Sequence, residues 1–134
     1  MRCLIINKIV FDITCEDKSK YGAEVVFHKG MNIIYGPNSV GKSSIMTGIV
    51  YALGGEKSLG IFSKNQNPFK PEFYKEIEGK KIMDSSIYLE INNCEETITV
   101  KREVKINTNY VSIFNGAYTD YSIDNTKNYI VAGE

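Results

Sequence analysis

The sequence lacks tryptophan, has a single histidine, and contains only three cysteines, at positions 3, 15 and 94. An odd number of cysteines without close spacing argues against both a disulfide framework and a cysteine–histidine metal centre. Sixteen basic residues balance sixteen acidic ones, so the chain has no cationic excess for non-specific contact with a nucleic-acid backbone. No apolar run is long enough to cross a bilayer. We therefore expect one soluble, cytoplasmic domain over residues 1–134.

The alternation of residues 1–28 predicts a β-hairpin. The odd positions from Cys3 to Ile13 are apolar, and Asn7 is the exception. The run "AEVVF" at 23–27 repeats the alternation, and the polar segment "TCEDKSKYG" between the two runs ends in a glycine, as turns often do. The hairpin therefore precedes the segment that holds the clearest motif.

A strand, a glycine-rich loop and a helix are predicted over residues 31–55. The short apolar run "NIIY" at 32–35 is typical of a central strand, and it stops at Gly36. Apolar residues then recur at helical spacing from Ser43 to Leu53, after which Gly54 and Gly55 end the pattern. The loop between this strand and this helix reads "GPNSVGKS".

This loop fits G-x-x-x-x-G-K-[ST], the phosphate-binding pattern. Its two glycines let successive backbone N–H groups converge on phosphate oxygens. Lys42 would reach the β- and γ-phosphates and the Ser43 hydroxyl would ligate Mg²⁺, while the positive end of the helix faces the same anion. We assign no catalytic residue. The predicted nucleotide-binding residues are Gly36, Asn38, Ser39, Val40, Gly41, Lys42, Ser43 and Ser44, with Ser43 as the metal ligand.

The rest of the chain is predicted to be a surface insert over residues 56–84 and an antiparallel β region over residues 85–131. The runs "SSIYLEI" and "ETITVKREV" flank the turn-like "NNCE", and "YVSIF" with "YTDYSI" suggests a further antiparallel pair. Arg102, in the second of these four runs, is interpreted as an exposed strand residue.

Phosphate-loop proteins differ widely in function, and the loop alone does not choose among them. A GTPase should carry the guanine-reading Asn-Lys-x-Asp, and "DNTKN" at 124–128 has neither the order nor the aspartate. A small kinase should continue as alternating helices and parallel strands. It stays open as an alternative, beside a self-contained, non-catalytic nucleotide-binding module.

The segment from Gly30 to Ser44 has the form G-x-N-x-I-x-G-x-N-x-x-G-K-S-S, and the following helix ends in "ALGG" at 52–55. With the hairpin before it and "ITVKREV" after it, this pattern resembles the N-terminal segment of SMC-like ATPases of the RecF, RecN and SbcC kind. The resemblance implies an α/β P-loop fold with a mixed sheet and an antiparallel β-layer. It also implies ATP and Mg²⁺ as cofactors, pairing with a second head across the nucleotide, and a role in DNA repair, recombination or defence.

Several motifs of that family are missing from this chain. No run of four apolar residues ends in an aspartate that could be the Walker B ligand, since only Ile82 and Met83 precede Asp84. The arginine that many relatives carry after the first strand has no counterpart in "FDITCEDKSKYG". We therefore expect a C-terminal half of the head to be supplied separately, and ATP turnover only once it is present. Until then an apolar face and the edges of the "NIIY" strand should stay uncovered.

Overall fold

The computed structural model describes residues 4–33, 42–53, 76–77, 79–104, 110–122 and 125–130. The α-helix of these residues, α1, spans Lys42–Ala52, and a short 3₁₀ turn spans Tyr118–Asp120. The strands are β1 (Ile5–Cys15), β2 (Lys20–Val26), β3 (Glu76–Ile77), β4 (Lys80–Asn92), β5 (Thr97–Glu103), β6 (Tyr110–Asn115) and β7 (Thr126–Ile130). No helix in these ranges is long and apolar enough to cross a membrane.

The described strands form one sheet in the order β2-β1-β4-β5-β6-β7, with β3 pairing with the start of β4. Every pairing is antiparallel. The predicted mixed sheet is therefore not seen in the described residues, which are mostly antiparallel sheet with little helix. Residues 34–41, the end of the predicted central strand and most of the loop, lie outside the described ranges.

A β-bulge at Asn7 explains why the alternation of the first strand fails there. In the pairing of β1 with β4, Ile6 lies opposite Ile91 and Lys8 lies opposite Glu90, so Asn7 is an extra residue on β1. Because one residue is added, Ile6 rather than Ile5 faces the hydrophobic core. The Asn7 amide donates to Glu90 Oε2 over 2.7 Å, and its main-chain oxygen accepts from Phe27 N at 2.9 Å. Polar partners therefore hold the bulge on both sides.

Two strand boundaries differ from the predictions. β4 begins at Lys80, so residues 80–84 belong to the sheet rather than to the predicted insert. The strand that follows β6 in the chain and pairs with it is β7. The predicted strand "YTDYSI" is wrong, because these residues contain the 3₁₀ turn. The chain bends away from the ladder at Gly116, whose φ of 148° suits glycine, and the tyrosines that follow pack on a face of the sheet.

The hydrophobic core lies between α1 and one face of the sheet, which we call the helix face. α1 crosses β1, β4 and β5. The buried members of this core are Ile9, Ile49, Tyr51, Ala52, Ile87, Leu89, Ile91, Val100 and Val104. Alternate residues of these strands point to the opposite face of the sheet, the outer face, which is covered by the segment around the 3₁₀ turn. Three central strands are thus packed on both sides.

Candidate nucleotide-binding site

The first turn of α1 carries the last three residues of the predicted site. The helix begins at Lys42, one residue before the predicted start, so Lys42, Ser43 and Ser44 contribute the backbone of its first turn. The other five predicted residues, at positions 36 and 38–41, lie outside the described residues. The helix therefore starts at the Gly-Lys-Ser end of the phosphate-binding pattern.

The N-terminus of α1 is suited to an anion. The first N–H groups of an α-helix have no partner within the helix, and the peptide dipoles leave a partial positive charge there. The first turn of α1 contains no acidic residue that would repel a phosphate. No cluster of His, Cys, Asp and Glu side chains that could hold a metal occurs in the described ranges, so a metal ion at Ser43 stays a prediction.

Gly48 lets the middle of α1 lie directly on β1. A Cβ at this position would come within 2.9 Å of Phe11 Cζ and 3.2 Å of Ile9 Cδ1, closer than side chains normally pack. The absence of a side chain therefore sets the distance between the helix and the sheet. The sequence analysis assigned no role to this glycine, although a glycine inside an apolar helix pattern often has a packing reason.

Arg102 and Tyr51 join the last turn of α1 to β5. Arg102 is 2% exposed, so its interpretation as an exposed strand residue is wrong. Its Nη1 donates to the carbonyl oxygen of Tyr51 over 2.7 Å, and its guanidinium lies 3.9 Å from the centre of the Tyr51 ring. The Tyr51 hydroxyl in turn donates to the main-chain oxygen of Glu103 at 3.3 Å. A cation at a helix C-terminus is favourable because the last carbonyls of a helix lack partners.

Separate sequence patterns point to Arg102 and to Tyr51, but neither pattern indicates that the two residues meet. Arg102 falls on the helix face because Ile98 and Val100 precede it at period two. Tyr51 is the one residue of the helix pattern with a polar atom at the end of an apolar ring, and buried tyrosines usually find a hydrogen-bond partner. Their meeting depends on where the end of α1 crosses β5, which no local pattern specifies.

The outer face of the sheet holds an aromatic cluster, which we define as Tyr88, Phe114, Tyr118 and Tyr121. The Tyr88 ring packs edge-on against Tyr118 at 5.0 Å and Tyr121 at 5.2 Å between centroids. Burial, with a smaller contribution from the nearby Asp12, raises the pKa of Tyr88 to about 12. Burial likewise raises the pKa of Tyr118 and of Tyr121. Glu90 Oε1 accepts from the main-chain N–H of Tyr118 at 2.9 Å and so ties the cover to the sheet.

A lysine of β4 contacts the turn between β1 and β2. Lys80 of β4 lies 3.4 Å from Asp17 Oδ2 and donates to Ser19 Oγ at 2.9 Å. The main-chain N–H of Ser19 is the largest cause that lowers the pKa of Asp17, and a hydrogen bond with Tyr21 is the largest cause that raises the pKa of Lys80. Sequence reasoning did not connect Lys80 with this turn.

The side of α1 away from the sheet presents apolar side chains to solvent. Met46 is 57% exposed and Leu53 is 44% exposed, and Val50 lies between them at helical spacing. We call these three residues the outer stripe of α1. Met31 and Ile33, just before the phosphate-binding pattern, are exposed by 87% and 74%. Residues 32 and 33 of the predicted strand "NIIY" are not part of a strand, and residues 34 and 35, with the edges predicted to be unpaired, lie outside the described residues.

A glycine-rich phosphate-binding pattern that opens into a helix is the site of P-loop nucleotide-binding proteins. The sequence profile described as AAA domain matches residues 18–132. The chain belongs to this AAA domain family, which supports an ATPase-like nucleotide-binding module of the P-loop kind. No curated protein and no solved structure is similar enough to the chain to count as a match.

Proposed function

We propose that this protein binds ATP with Mg²⁺ as the N-terminal segment of an SMC-like ABC ATPase head. The observation that carries the proposal is the start of α1 at Lys42, at the end of the G-x-x-x-x-G-K-S pattern. Membership of the AAA domain family supports the same nucleotide chemistry. In the proposed site, backbone N–H groups of residues 38–44 surround the phosphates, Lys42 neutralises them, and Ser43 ligates the metal ion.

The outer stripe of α1 supports the proposal that this segment needs a second half of the head. Among the described residues, α1 is covered by the helix face of the sheet alone, and Met46 and Leu53 are exposed on its other side. Exposed apolar side chains grouped on one side of a helix are typical of a surface that packs against another element. The partner that we propose is the C-terminal half of the head, which would cover Met46, Val50 and Leu53. A second head and DNA would then join the assembled complex, as the resemblance to RecF, RecN and SbcC implies.

The described residues offer no substitute for a Walker B aspartate. Asp84 is exposed near the end of the antiparallel pairing of β1 with β4, opposite Thr14 and beside a register shift. A Walker B aspartate instead follows a buried apolar strand and ligates the metal ion beside the phosphate loop. We therefore expect the isolated chain to bind ATP and to hydrolyse it negligibly. Steady hydrolysis that disappears in Lys42→Ala would contradict this expectation and favour the small-kinase alternative.

A self-contained, non-catalytic nucleotide-binding module is the second candidate. The observation that favours it is the sheet, whose three central strands are packed on both faces within this chain. Such a module would bind ATP in the same loop but would need no further segment. The two candidates differ in one measurable property: addition of the C-terminal half should bring ATP turnover only to a head segment.

Isothermal titration of ATP with Mg²⁺ tests the nucleotide site itself. We expect Lys42→Ala to lose at least about tenfold in affinity, because hydrogen bonds to charged groups are worth about 1.5–3 kcal/mol. The matched control is Lys20→Ala, which removes a lysine whose side chain is 70% exposed on β2. Equal affinity of the wild type and Lys42→Ala would end the proposal, and so would an equal loss in both variants.

A further inference from the structure

The nucleotide end of α1 and its opposite end are held by different means. At the first turn the proposed ligand is the phosphate, while at the last turn Arg102 lies over Tyr51 and bonds to its carbonyl oxygen. An 11-residue helix is short, about 16 Å long, so a change of its angle at one end displaces the other end. The direction of α1 therefore depends on what holds its last turn.

The contact between Arg102 and Tyr51 is suited to fixing the angle of α1 on the sheet as well as to burying the charge of Arg102. The guanidinium lies over the Tyr51 ring, 3.9 Å from its centre, and donates to a helix carbonyl, while the Tyr51 hydroxyl donates to the main chain of β5. Two residues thus connect the helix and the strand in both directions. A lysine would keep the charge but has neither the plane nor the fork of donors.

We propose that Arg102 is a positioning residue of the nucleotide site, which sets the direction of α1 and thereby the placement of the phosphate-binding residues at its first turn. The proposal rests on the proposed function, since it assumes that this first turn binds phosphate. Arg102 acts through Tyr51 and the helix, and it makes no contact with the nucleotide itself. Gly48 provides the second support, because its contact with Phe11 fixes the middle of the helix at a short distance from the sheet.

The test compares Arg102→Met and Arg102→Lys with Lys101→Met. Lys101 is the neighbouring cation on β5, points to the outer face, and lies 5.6 Å from the Tyr88 ring. We expect Arg102→Met to weaken ATP binding about tenfold, Arg102→Lys to weaken it less, and Lys101→Met to leave it within about twofold. Affinity is measured at a temperature at which circular dichroism shows every variant to be folded. A lower melting temperature with unchanged affinity would mean a purely structural role and would overturn the proposal.

A double-mutant cycle with Tyr51→Leu tests whether the two side chains act as one unit. The combined variant should bind ATP no more weakly than either single variant, because each substitution already breaks the same contact. Losses that multiply would contradict the proposal. Tyr51→Phe keeps the ring and removes only the hydroxyl, so it should retain most of the affinity and provides a mild variant should Arg102→Met fail to fold.

Amide hydrogen exchange of the nucleotide-free protein tests the same idea without ATP. If Arg102 sets the direction of α1, exchange in Arg102→Lys should increase along the whole helix, including Met46, whose N–H group is the first to bond back to a carbonyl of the first turn. If Arg102 only capped the C-terminal end of α1, exchange would change in the last turn alone, and that result would overturn the proposal. A wild type that fails to bind ATP would end the proposed function, whereas the exchange result would still decide whether Arg102 positions the helix.

Discussion

The antiparallel sheet and the helix α1 differ in how completely they are covered. The central strands have α1 on one face and the aromatic cluster on the other. α1 has the sheet on one side and, on its other side, the exposed Met46 and Leu53. Both elements are rich in apolar residues, but among the described residues only the central strands have other residues packed on both faces.

Within the part of the chain that the structure describes, the central sheet is therefore covered more completely than α1. Hydrogen bonds of Glu90 with Asn7 and Tyr118 join the central strands and their cover within this chain. The helix that follows the phosphate-binding pattern has an apolar side without a partner among the described residues. The nucleotide-binding element is therefore the part of the protein that we expect to change most when a partner is added.

The largest effect on the free energy of unfolding is expected for a substitution on the helix face of the sheet. Leu89 is fully buried there, and Leu89→Ala should lower the free energy of unfolding by about 2–5 kcal/mol because it removes packed methyl groups and leaves a cavity. Leu53→Ala is the matched control, because the same atoms are removed from a side chain that is 44% exposed. Urea unfolding of the two variants measures the difference. Similar losses in both would show that the outer stripe is packed as well as the sheet.

An intermediate effect on stability is expected from the outer face of the sheet at high pH. Burial raises the pKa of Tyr88 from 10.0 to about 12, so the folded state favours the neutral phenol. This contribution to stability is complete below pH 10 and is lost as the pH rises towards 12. Urea unfolding between pH 9 and 11 should show falling stability, with a smaller fall in Tyr88→Phe. Tyr129→Phe, at a position that is 49% exposed, should keep the slope of the wild type; an unchanged slope in Tyr88→Phe would mean that the cover is loose.

The smallest effect on stability is expected on the outer stripe of α1. Met46→Gln with Leu53→Gln should change the free energy of unfolding by less than about 1 kcal/mol, since surface substitutions usually stay within about 0.5 kcal/mol each. The same variant should associate less with itself in sedimentation experiments, because exposed apolar patches promote association. If the proposed C-terminal half is added, the variant should bind it more weakly than the wild type does. A large loss of stability would show that the stripe is already covered within this chain.

The fold could be predicted where short-range patterns decide it. Period-two alternation indicated β1 and β2, and the turn residues of "NNCE" indicated the connection between β4 and β5. The prediction was wrong where side chains recur at strand spacing but do not form a strand. The tyrosines of "YTDYSI" resemble a strand, but they cover the outer face of the sheet. The predicted mixed sheet depended on a strand that lies mostly outside the described residues.

The site could be predicted as a motif but not as a supported structure. The residues from Gly36 to Ser44 follow a pattern whose chemistry is local, so the sequence alone indicates them. Arg102 lies 51 positions from Tyr51, and no pattern brings the two together. Gly48 likewise gains its role from Phe11 of another element. Contacts between distant segments depend on how a helix crosses a sheet, and local sequence patterns do not specify that geometry.

The bulge at Asn7 has a consequence for insertions and deletions in this strand. A regular strand that lost or gained one residue would exchange its two faces on one side of the change. Asn7 is already one residue too many for the ladder, so its deletion would leave Ile6 on the helix face and Lys8 on the outer face. What such a deletion would remove is the amide that donates to Glu90 and the carbonyl that accepts from Phe27. At this position, therefore, the loss of one residue would alter polar contacts while the apolar pattern of β1 stayed in register.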